Sequence, residues 1–360
     1  MTRAYNFSAG PAALPEPVLR QAQQELLEWG SARASVMEIS HRGAAFMAMA
    51  AEAEQDLRDL LAIPANYRVL FMQGGATQHF AQIPMNLARQ EQSADYVISG
   101  AWGEKARAEA APHVRARICA SSAAGGFRDV PATADWKLDP QAAYVHYTTN
   151  ETIHGVQFHA IPDVGEVPLV ADMSSDILSA PIDVSRFGII YAGAQKNIGA
   201  SGLVILIVRE DLLERHPQPI ARIFRYAEHA KADSLFNTPN TFGWYLSALV
   251  FKWLKGEGGL AAIEERNRRK AELLYTLIDE SGFYSNPVSA DSRSRMNVPF
   301  FLPNAALDSL FLQEADAANL VGLKGHRVLG GMRASIYNAT SLQAVEVLAD
   351  FMRDFARRHG

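Results

Sequence analysis

Short apolar runs alternate with amphipathic stretches along most of the chain, which is the pattern of an α/β protein. Helical periodicity predicts helices over residues 15–29 and 43–62, and a third helix that opens at the glycine turn in QGGATQHF, 73–80. The apolar runs are rich in branched residues and predict strands in YRVLFM, DYVISG, AAYVHYTTNET, VPLVADMSS, FGIIYAGA and LVILIVRE. Strands separated by helices or turns favour a largely parallel sheet.

The pattern changes after about residue 256, where long amphipathic helices separate isolated strands. Helices are predicted within 258–282, 305–322 and 341–358, and strands in RMNVPFFL and MRASIYN. We therefore predict a large domain over residues 16–257, and a smaller α+β domain formed by residues 1–15 and 258–360. The boundary is expected in the segment KGEGG.

Composition narrows the class of protein. With 360 residues, 48% hydrophobic and 20% charged, the chain is predicted to be globular, and its net charge of -5 gives no reason to expect nucleic acid. No apolar run is long enough to span a membrane, and the N-terminal segment has no signal-peptide core. A single cysteine excludes an internal disulfide and a cysteine metal cage, so we expect a cytoplasmic protein.

Lys196 lies between two of the predicted strands, in the segment GAQKNIGASG. Lysine is rarely buried, so a solvent-exposed loop lysine is the ordinary interpretation. The small neighbours, among them Gly193 and Gly199, would instead let a flat group approach the backbone. A partly desolvated lysine can form a Schiff base with a carbonyl cofactor, of which pyridoxal phosphate is the usual one.

Pyridoxal phosphate needs an acid beside its pyridine nitrogen, donors around its phosphate and a stacking partner for its ring. Asp172 ends the run VPLVAD and could be the acid, although a helix N-cap is the alternative. Ala76 and Thr77 follow a glycine turn and could offer N–H groups to the phosphate. Trp102 follows the strand DYVISG and could stack on the ring or belong to the core. Thr152 follows another strand and could donate to the ring oxygen.

Basic islands bounded by Gly, Pro or apolar residues indicate an anionic substrate. The candidates are His41 and Arg42 in SHRG, and His326, Arg327 and Arg333 in GHRVLGGMR. Guanidinium groups match carboxylates and phosphates bidentately, although solvated loops are the ordinary interpretation of such segments. The histidines are not set at ligand spacing on one predicted element, so no metal site is expected.

Taken together, these segments make the chain resemble the phosphoserine aminotransferases, a class-V, fold-type I family of pyridoxal-phosphate enzymes. The matching segments cover nearly the whole length and are NFSAGPA, SVMEISHRG, VLFMQGGATQ, GAWGEKA, NETIHG, ADMSSDILS, IDVSRFGIIYAGAQKNIGASGL, FNTPNTF, RSRMNVPF and KGHRVLGGMRASIYNA. The resemblance implies a large domain with a mostly parallel sheet flanked by helices, and a smaller α+β C-terminal domain.

The resemblance also implies residue roles. Lys196 would carry pyridoxal 5'-phosphate as an aldimine and would form the catalytic pair with Asp172. The other cofactor contacts implied are Ala76, Thr77, Trp102, Thr152, Gln195 and, from the second subunit of a homodimer, Asn237 and Thr238. Arg333 would bind the α-carboxylate of the substrate. The distal anion would be held by His41 and Arg42, also from the second subunit, and by His326 and Arg327.

The implied reaction is a ping-pong transfer of an amino group from glutamate to 3-phosphohydroxypyruvate in serine biosynthesis, giving O-phosphoserine and 2-oxoglutarate. Activity on the phosphorylated hydroxythreonine precursor of cofactor biosynthesis stays open. The chain departs from some members by having Ala76–Thr77 in place of Gly-Arg, and from many by having Thr149 in place of Pro. The first change leaves the preference for phosphate over carboxylate open.

Three other functions remain compatible with the residues alone. An aminotransferase of the same fold could act on an unphosphorylated acceptor such as glyoxylate. A cysteine desulfurase would need a mobile cysteine, whereas Cys119 in RARICASS is predicted to be an apolar strand residue. A non-catalytic α/β module could hold an anion in its glycine turn, and such a protein would be colourless.

Overall fold

A computed structural model describes residues 3–215 and 219–360. The helices in these ranges are α1 (Glu16–Gln24), α2 (Ala44–Leu61), α3 (Ala76–Leu87), α4 (Ala101–Ala110), α5 (Tyr226–Lys231), α6 (Thr241–Gly256), α7 (Gly259–Glu280), α8 (Asp308–Ala317) and α9 (Leu342–His359). The strands are β1 (Tyr5–Asn6), β2 (Tyr67–Gln73), β3 (Ser93–Ile98), β4 (Arg115–Ser121), β5 (Val145–Thr148), β6 (Asn150–Glu151), β7 (Val156–Gln157), β8 (Leu169–Asp172), β9 (Ile189–Gly193), β10 (Leu203–Arg209), β11 (Asn297–Phe300), β12 (Leu320–Val321) and β13 (Met332–Ser335).

A seven-stranded sheet with the order β2-β10-β9-β8-β5-β3-β4 forms the centre of the molecule. Its strands are parallel to their neighbours except β10, which is antiparallel to both β2 and β9. Residues 194–202 join β9 to β10 and are too few for the crossover that a parallel pair requires. The prediction of a mostly parallel sheet is therefore confirmed, and β2, β3, β5, β8 and β9 all end at the same edge.

Both faces of this sheet are covered, which explains why its strands are apolar without alternation. In β10, Ile205 and Ile207 join an apolar cluster that includes residues of α2 and α6. Val204 and Leu206 face the opposite way and join a cluster that includes residues of α3 and α4. The central strands are thus held between two helical layers.

The C-terminal part has an apolar cluster of its own, formed by residues of α7, α8, α9, β11 and β13. Phe7 is part of this cluster, and β1 pairs in parallel with β12. The predicted boundary lies in the break between α6, which ends at Gly256, and α7, which begins at Gly259. The division into domains of 16–257 and of 1–15 with 258–360 stays a prediction.

Several helices differ from the sequence predictions, among them α4 and α5, for which no bounds were predicted. The helix predicted over 15–29 ends at Gln24, because the chain turns back and places Trp29 edge-on against Tyr245, with ring centroids 6.0 Å apart. Gly30 continues this turn with φ of +52°. Helix α6 was not predicted at all, since it is apolar on most sides and gives no amphipathic signal.

Lys270 of α7 is fully buried and fixes the chain that follows β13. Its Nζ atom donates hydrogen bonds to the carbonyl oxygens of Ile336, Tyr337 and Thr340 at 2.8, 2.8 and 2.9 Å. Burial lowers the pKa of Lys270, and the three carbonyl acceptors match the three N–H donors of the ammonium form and so favour it. Lys270 therefore ties α7 to the segment that leaves the strand of Arg333.

We expect Lys270→Met to lower the free energy of unfolding by about 3 kcal/mol, because three buried carbonyl groups lose their donor. Urea unfolding of the two proteins measures this difference. Lys252→Met is the matched control, since the exposed Lys252 pairs with the exposed Glu52 and its loss should change stability by less than about 1 kcal/mol. Equal unfolding curves for Lys270→Met and the parent would contradict the expectation.

Candidate active site

Five strands deliver candidate residues to one edge of the sheet. β9 leads to Lys196, β8 ends at Asp172, and β5 leads through the short β6 to Thr152. β3 leads to Trp102 in the first turn of α4, and β2 leads to Ala76 at the start of α3. The carboxyl edge of such a sheet is where ligands bind, so the topology brings these segments to the expected place.

The amine of Lys196 is held in the site. Its Nζ atom donates a hydrogen bond to the hydroxyl oxygen of Thr152 at 2.6 Å and lies 5.9 Å from the centroid of the Trp102 ring. Gly10 packs on the lysine stem, since a Cβ atom there would lie 3.6 Å from Cγ and 3.8 Å from Cε of Lys196. The side chain is therefore half-buried and ordered, unlike a solvated loop lysine.

Thr152 is in turn held by residues from the C-terminal strands. Its hydroxyl group donates to the Ser175 hydroxyl at 3.1 Å, and Ser175 donates to Oδ1 of Asn297 at 2.7 Å. Asn297 of β11 donates through Nδ2 to the Ser335 hydroxyl of β13 at 2.9 Å. Ser175, Asn297 and Ser335 were not predicted as site residues, because only the tertiary fold brings them together.

Asp172 is a buried carboxylate, 5% exposed. Its Oδ1 atom accepts the backbone N–H of Ser174 at 2.9 Å, so it stabilises the turn after β8 rather than the start of a helix. Burial raises the pKa of Asp172, while hydrogen bonding from Ser174 and the charge of Lys196 lower it. A cationic ring nitrogen beside this group would stabilise its ionised form.

The start of α3 offers free backbone donors. Gly75 precedes the helix, and no side chain among the described residues caps its N-terminus. Gly74 has φ of +106°, a conformation that favours glycine and aims the chain into the helix. Ala76 and Thr77 lie in the first turn of α3, where backbone N–H groups and the helix dipole suit an anion, and their role in binding a phosphate stays a prediction.

Trp102 is fixed by Glu151, which was not predicted as a site residue. The fully buried carboxylate accepts the backbone N–H groups of Trp102 and Gly103 at 3.1 and 2.8 Å. Burial raises the pKa of Glu151 to about 7, and the two backbone donors oppose that shift. Gly100 makes room for this contact, because a Cβ atom there would lie 2.5 Å from Cδ of Glu151. A carboxylate thus positions the predicted stacking residue.

Gln195 lies against the N-terminal segment. Its carbonyl oxygen accepts the N–H of Ala12 at 2.9 Å, and its side chain occupies the space that a Cβ atom on Gly193 would need. The Tyr337 hydroxyl donates to the carbonyl oxygen of Ala9 at 2.9 Å. Residues 9–12 therefore cover the lysine from the side of the C-terminal strands.

Arg333, His326 and Arg327 form a cationic group beside this site. Nη1 of Arg333 donates to the Thr152 carbonyl oxygen at 3.4 Å, and its buried Nε atom has no hydrogen-bond partner within residues 3–215 and 219–360. Burial lowers the pKa of Arg333. The pKa of His326 is also lowered, by burial and by the charges of Arg333 and Arg327. Such a cluster is suited to an anion.

The four residues that the resemblance assigns to a second subunit lie on two adjoining loops. These residues are His41, Arg42, Asn237 and Thr238. Nη2 of Arg42 donates to the carbonyl oxygen of Leu235 at 3.4 Å. Nδ2 of Asn237 donates to Oε1 of Gln73 at 3.3 Å, and the Gln73 amide donates to the Thr238 carbonyl oxygen. The two loops therefore form one surface at the end of β2.

Cys119 lies in β4 and is buried, as the sequence predicted. Burial raises the pKa of its thiol to about 12, so it stays protonated at neutral pH. A desulfurase needs a mobile thiolate at the lysine, and this side chain belongs to the apolar core.

The arrangement matches the needs of pyridoxal phosphate. The ordered amine suits its aldehyde, and the buried carboxylate suits its ring nitrogen. The indole ring suits the face of the cofactor ring, and the N-terminus of α3 suits its phosphate. The indole Nε1 atom of Trp102 is buried without a hydrogen-bond partner in the described part of the chain. A ligand atom at this position would satisfy it.

Comparison with known proteins agrees with this site. Residues 4–348 match the class-V aminotransferase family. The phosphoserine aminotransferase of Stenotrophomonas maltophilia (strain R551-3) is 59% identical over 361 residues, which cover 100% of both chains. The chain belongs to the phosphoserine aminotransferase family. It is therefore an aminotransferase, and its family depends on pyridoxal phosphate.

Solved structures of phosphoserine aminotransferases have the same fold. The protein from Bacillus circulans subsp. alkalophilus is 48% identical, with a TM-score of 0.97 and 99% of each chain covered. The pyridoxal-phosphate-bound protein from Trichomonas vaginalis is 40% identical, with a TM-score of 0.93, and the match covers 98% of this chain and 100% of that one. The predicted fold type is therefore confirmed. Across the described residues, no helix is both long and apolar enough to cross a membrane.

Proposed function

We propose that this aminotransferase transfers the amino group of glutamate to 3-phosphohydroxypyruvate, giving 2-oxoglutarate and O-phosphoserine in cytoplasmic serine biosynthesis. The observation that carries the proposal is the position of Thr152, which bonds to Lys196 through its hydroxyl group and to Arg333 through its carbonyl oxygen. The amine of Lys196, which would carry out the chemistry, and the guanidinium group of Arg333, which would bind a substrate carboxylate, thus both contact Thr152. The cationic His326 and Arg327 segment supplies a second anion site nearby.

The proposed cofactor contacts rest on the same geometry and on the resemblance to the family. Lys196 would hold pyridoxal phosphate covalently, Asp172 would pair with the pyridine nitrogen, and Trp102 would stack on the ring. The remaining contacts are Thr152 and Gln195 at the ring oxygen side, Ala76 and Thr77 at the phosphate, and Asn237 and Thr238 from the second subunit. When bound, pyridoxal phosphate supplies an electron sink that stabilises negative charge on the α-carbon of the substrate.

The protein contributes proton transfer and orientation. Nζ of Lys196, once released from its covalent link, takes the α-proton of glutamate as a general base. Thr152 holds this amine on the side of the site where Trp102 lies. Asp172 keeps a proton on the pyridine nitrogen, because a buried carboxylate favours a neighbouring positive charge.

Substrate recognition divides between two anion sites. Arg333 binds the α-carboxylate that both substrates carry. Its Nε and Nη2 atoms can donate to the two carboxylate oxygens as a bidentate pair. His326 and Arg327, with His41 and Arg42 from the second subunit, bind the distal carboxylate of glutamate or the phosphate of the acceptor. The proposed homodimer is supported by the adjoining loops of Arg42 and Asn237, which form one surface at the end of β2.

Comparison of amino acceptors tests the function. With glutamate as donor, we expect kcat/KM for 3-phosphohydroxypyruvate to exceed that for glyoxylate or pyruvate by roughly 100-fold or more, because each charge-assisted hydrogen bond contributes about tenfold. The purified protein should also be coloured, and borohydride should fix the cofactor to the peptide that contains Lys196. Equal or better turnover of glyoxylate would replace this function by that of an aminotransferase for unphosphorylated acceptors.

Arg333→Ala should raise KM for glutamate and for 3-phosphohydroxypyruvate alike, by roughly 10- to 100-fold, because both lose the same charge-assisted contact. Steady-state kinetics with each substrate varied in turn measures the two values. Arg186→Ala, which removes a guanidinium group before β9, is the control and should leave both unchanged. A rise confined to the phosphorylated substrate would move Arg333 to the distal anion site.

A further inference from the structure

The hairpin of β6 and β7 carries two side chains to the site on one short turn, residues 152–155. Gly155 closes the turn with φ of +71°, and its N–H donates to the Glu151 carbonyl oxygen at 2.8 Å. A Cβ atom on Gly155 would lie 2.3 Å from Cδ of Pro299, so the turn is pressed against β11. Thr152 and His154 therefore have fixed positions relative to each other.

His154 is a buried histidine that the mechanism described above does not use. Its side chain is 7% exposed and packs edge-on against Phe127, with ring centroids 4.8 Å apart. Its Nδ1 atom is buried and has no hydrogen-bond partner in residues 3–215 and 219–360. Buried polar atoms are nearly always hydrogen-bonded in folded proteins, so this nitrogen indicates a partner that the chain alone does not supply.

The surroundings of His154 show which kind of partner fits. The pKa of His154 is lowered by burial and then by the charge of His326. His326 in turn lies within the electrostatic reach of Arg327 and Arg333. The imidazole rings of His154 and His326 and the guanidinium groups of Arg327 and Arg333 thus share one region. A group with several acceptor oxygens and negative charge would satisfy them together.

We propose that His154 is a further substrate-binding residue, which donates a hydrogen bond to the phosphate of the amino acceptor beside His326 and Arg327. The inference rests on the proposed function and adds one residue to the site that binds the phosphate of the acceptor. A phosphate has three free oxygens where a carboxylate has two, and the additional oxygen needs an additional donor. His154 supplies this donor from the turn between β6 and β7, whereas His326 and Arg327 belong to the C-terminal part.

His154→Phe and His154→Asn test the proposal in the cofactor-loaded enzyme. The Phe variant keeps the contact with Phe127 and removes both ring nitrogens, whereas the Asn variant keeps one N–H donor. We expect His154→Phe to raise KM for 3-phosphohydroxypyruvate and the inhibition constant of inorganic phosphate about tenfold. KM for glutamate and kcat at saturation should change less than about twofold, and His154→Asn should recover part of the lost affinity.

The control is His159→Gln, a histidine of the same region whose exposed ring bonds to the Arg293 carbonyl oxygen at 3.0 Å. It should match the parent in every constant. A second readout is the rise in Tm that inorganic phosphate produces, which should be smaller in His154→Phe and needs no turnover. If His154→Phe does not fold, the same comparison is made with His154→Asn against the parent.

Each outcome has a definite meaning. Unchanged KM for the acceptor and unchanged phosphate inhibition in His154→Phe would overturn the inference and leave the proposed function in place. A proportional rise of KM for glutamate would also overturn it, because the residue would then act on both substrates. Failure of the parent enzyme to use 3-phosphohydroxypyruvate would instead remove the proposed function.

Discussion

Replacing Lys196 by alanine is expected to lower kcat by roughly four orders of magnitude, because the substitution removes both the covalent anchor and the general base. The visible absorption band of the bound cofactor should shift in the same variant, since no amine remains at this position. The hydrogen bond to Thr152 distinguishes Nζ of Lys196 from the Lys105 amine, which also lies over the Trp102 ring. Stopped-flow single turnovers with glutamate and an absorption spectrum measure both effects.

A small primary amine added to the Lys196→Ala variant should restore part of the activity, because proton transfer then has a base although the tether is missing. Lys137→Ala is the matched control, since this lysine is exposed and should leave both kcat and the spectrum unchanged. Full turnover by Lys196→Ala with an unaltered spectrum would place the cofactor on another residue.

Asp172→Asn is expected to lower kcat by roughly 100- to 1,000-fold while the cofactor stays bound through Lys196. The asparagine Oδ1 atom can still accept the Ser174 N–H, so the turn after β8 should keep its conformation. What is lost is the negative charge that keeps the pyridine nitrogen protonated. The visible band should therefore remain, in contrast to Lys196→Ala, and single-turnover rates should fall.

Asp183→Asn is the control for this charge change, because the exposed Asp183 only caps a short helical turn through the Ser185 N–H at 3.0 Å. It should retain the parent rate. An Asp172→Asn enzyme with more than about a third of the parent kcat would show that another group protonates the ring nitrogen.

The location of the site at one edge of the sheet could be predicted from the sequence, because its central residues stand at or just after the ends of apolar runs. Asp172 ends β8 and Lys196 lies three residues past the end of β9, and the parallel arrangement brings these two strand ends to one edge. The antiparallel β10 does not disturb this inference, since it returns through the sheet without adding a residue to that edge. The apolar runs and the expected parallel sheet therefore predicted where the site lies, and the family resemblance supplied the roles of its residues.

The side chains that position the site could not be predicted in the same way. Glu151 holds Trp102 although nearly fifty positions separate them, and Asn297 reaches Ser175 from a different part of the chain. Such contacts leave no periodic signal, because each depends on where two distant elements pack. Helix α6 was missed for a different physical reason, since a helix that is buried on most sides has no polar stripe to mark it.

Thr152 makes the site difficult to divide into independent parts. Thr152 bonds through its side chain to the amine of Lys196, the proposed base, and through its backbone to Arg333, the proposed carboxylate-binding residue. A substitution there would alter turnover and substrate choice in a single step, so the two properties cannot be selected separately at this position. Engineering toward a new acceptor should begin in the loop of His326, whose contacts with Lys196 are indirect, and should leave the turn of Thr152 unchanged.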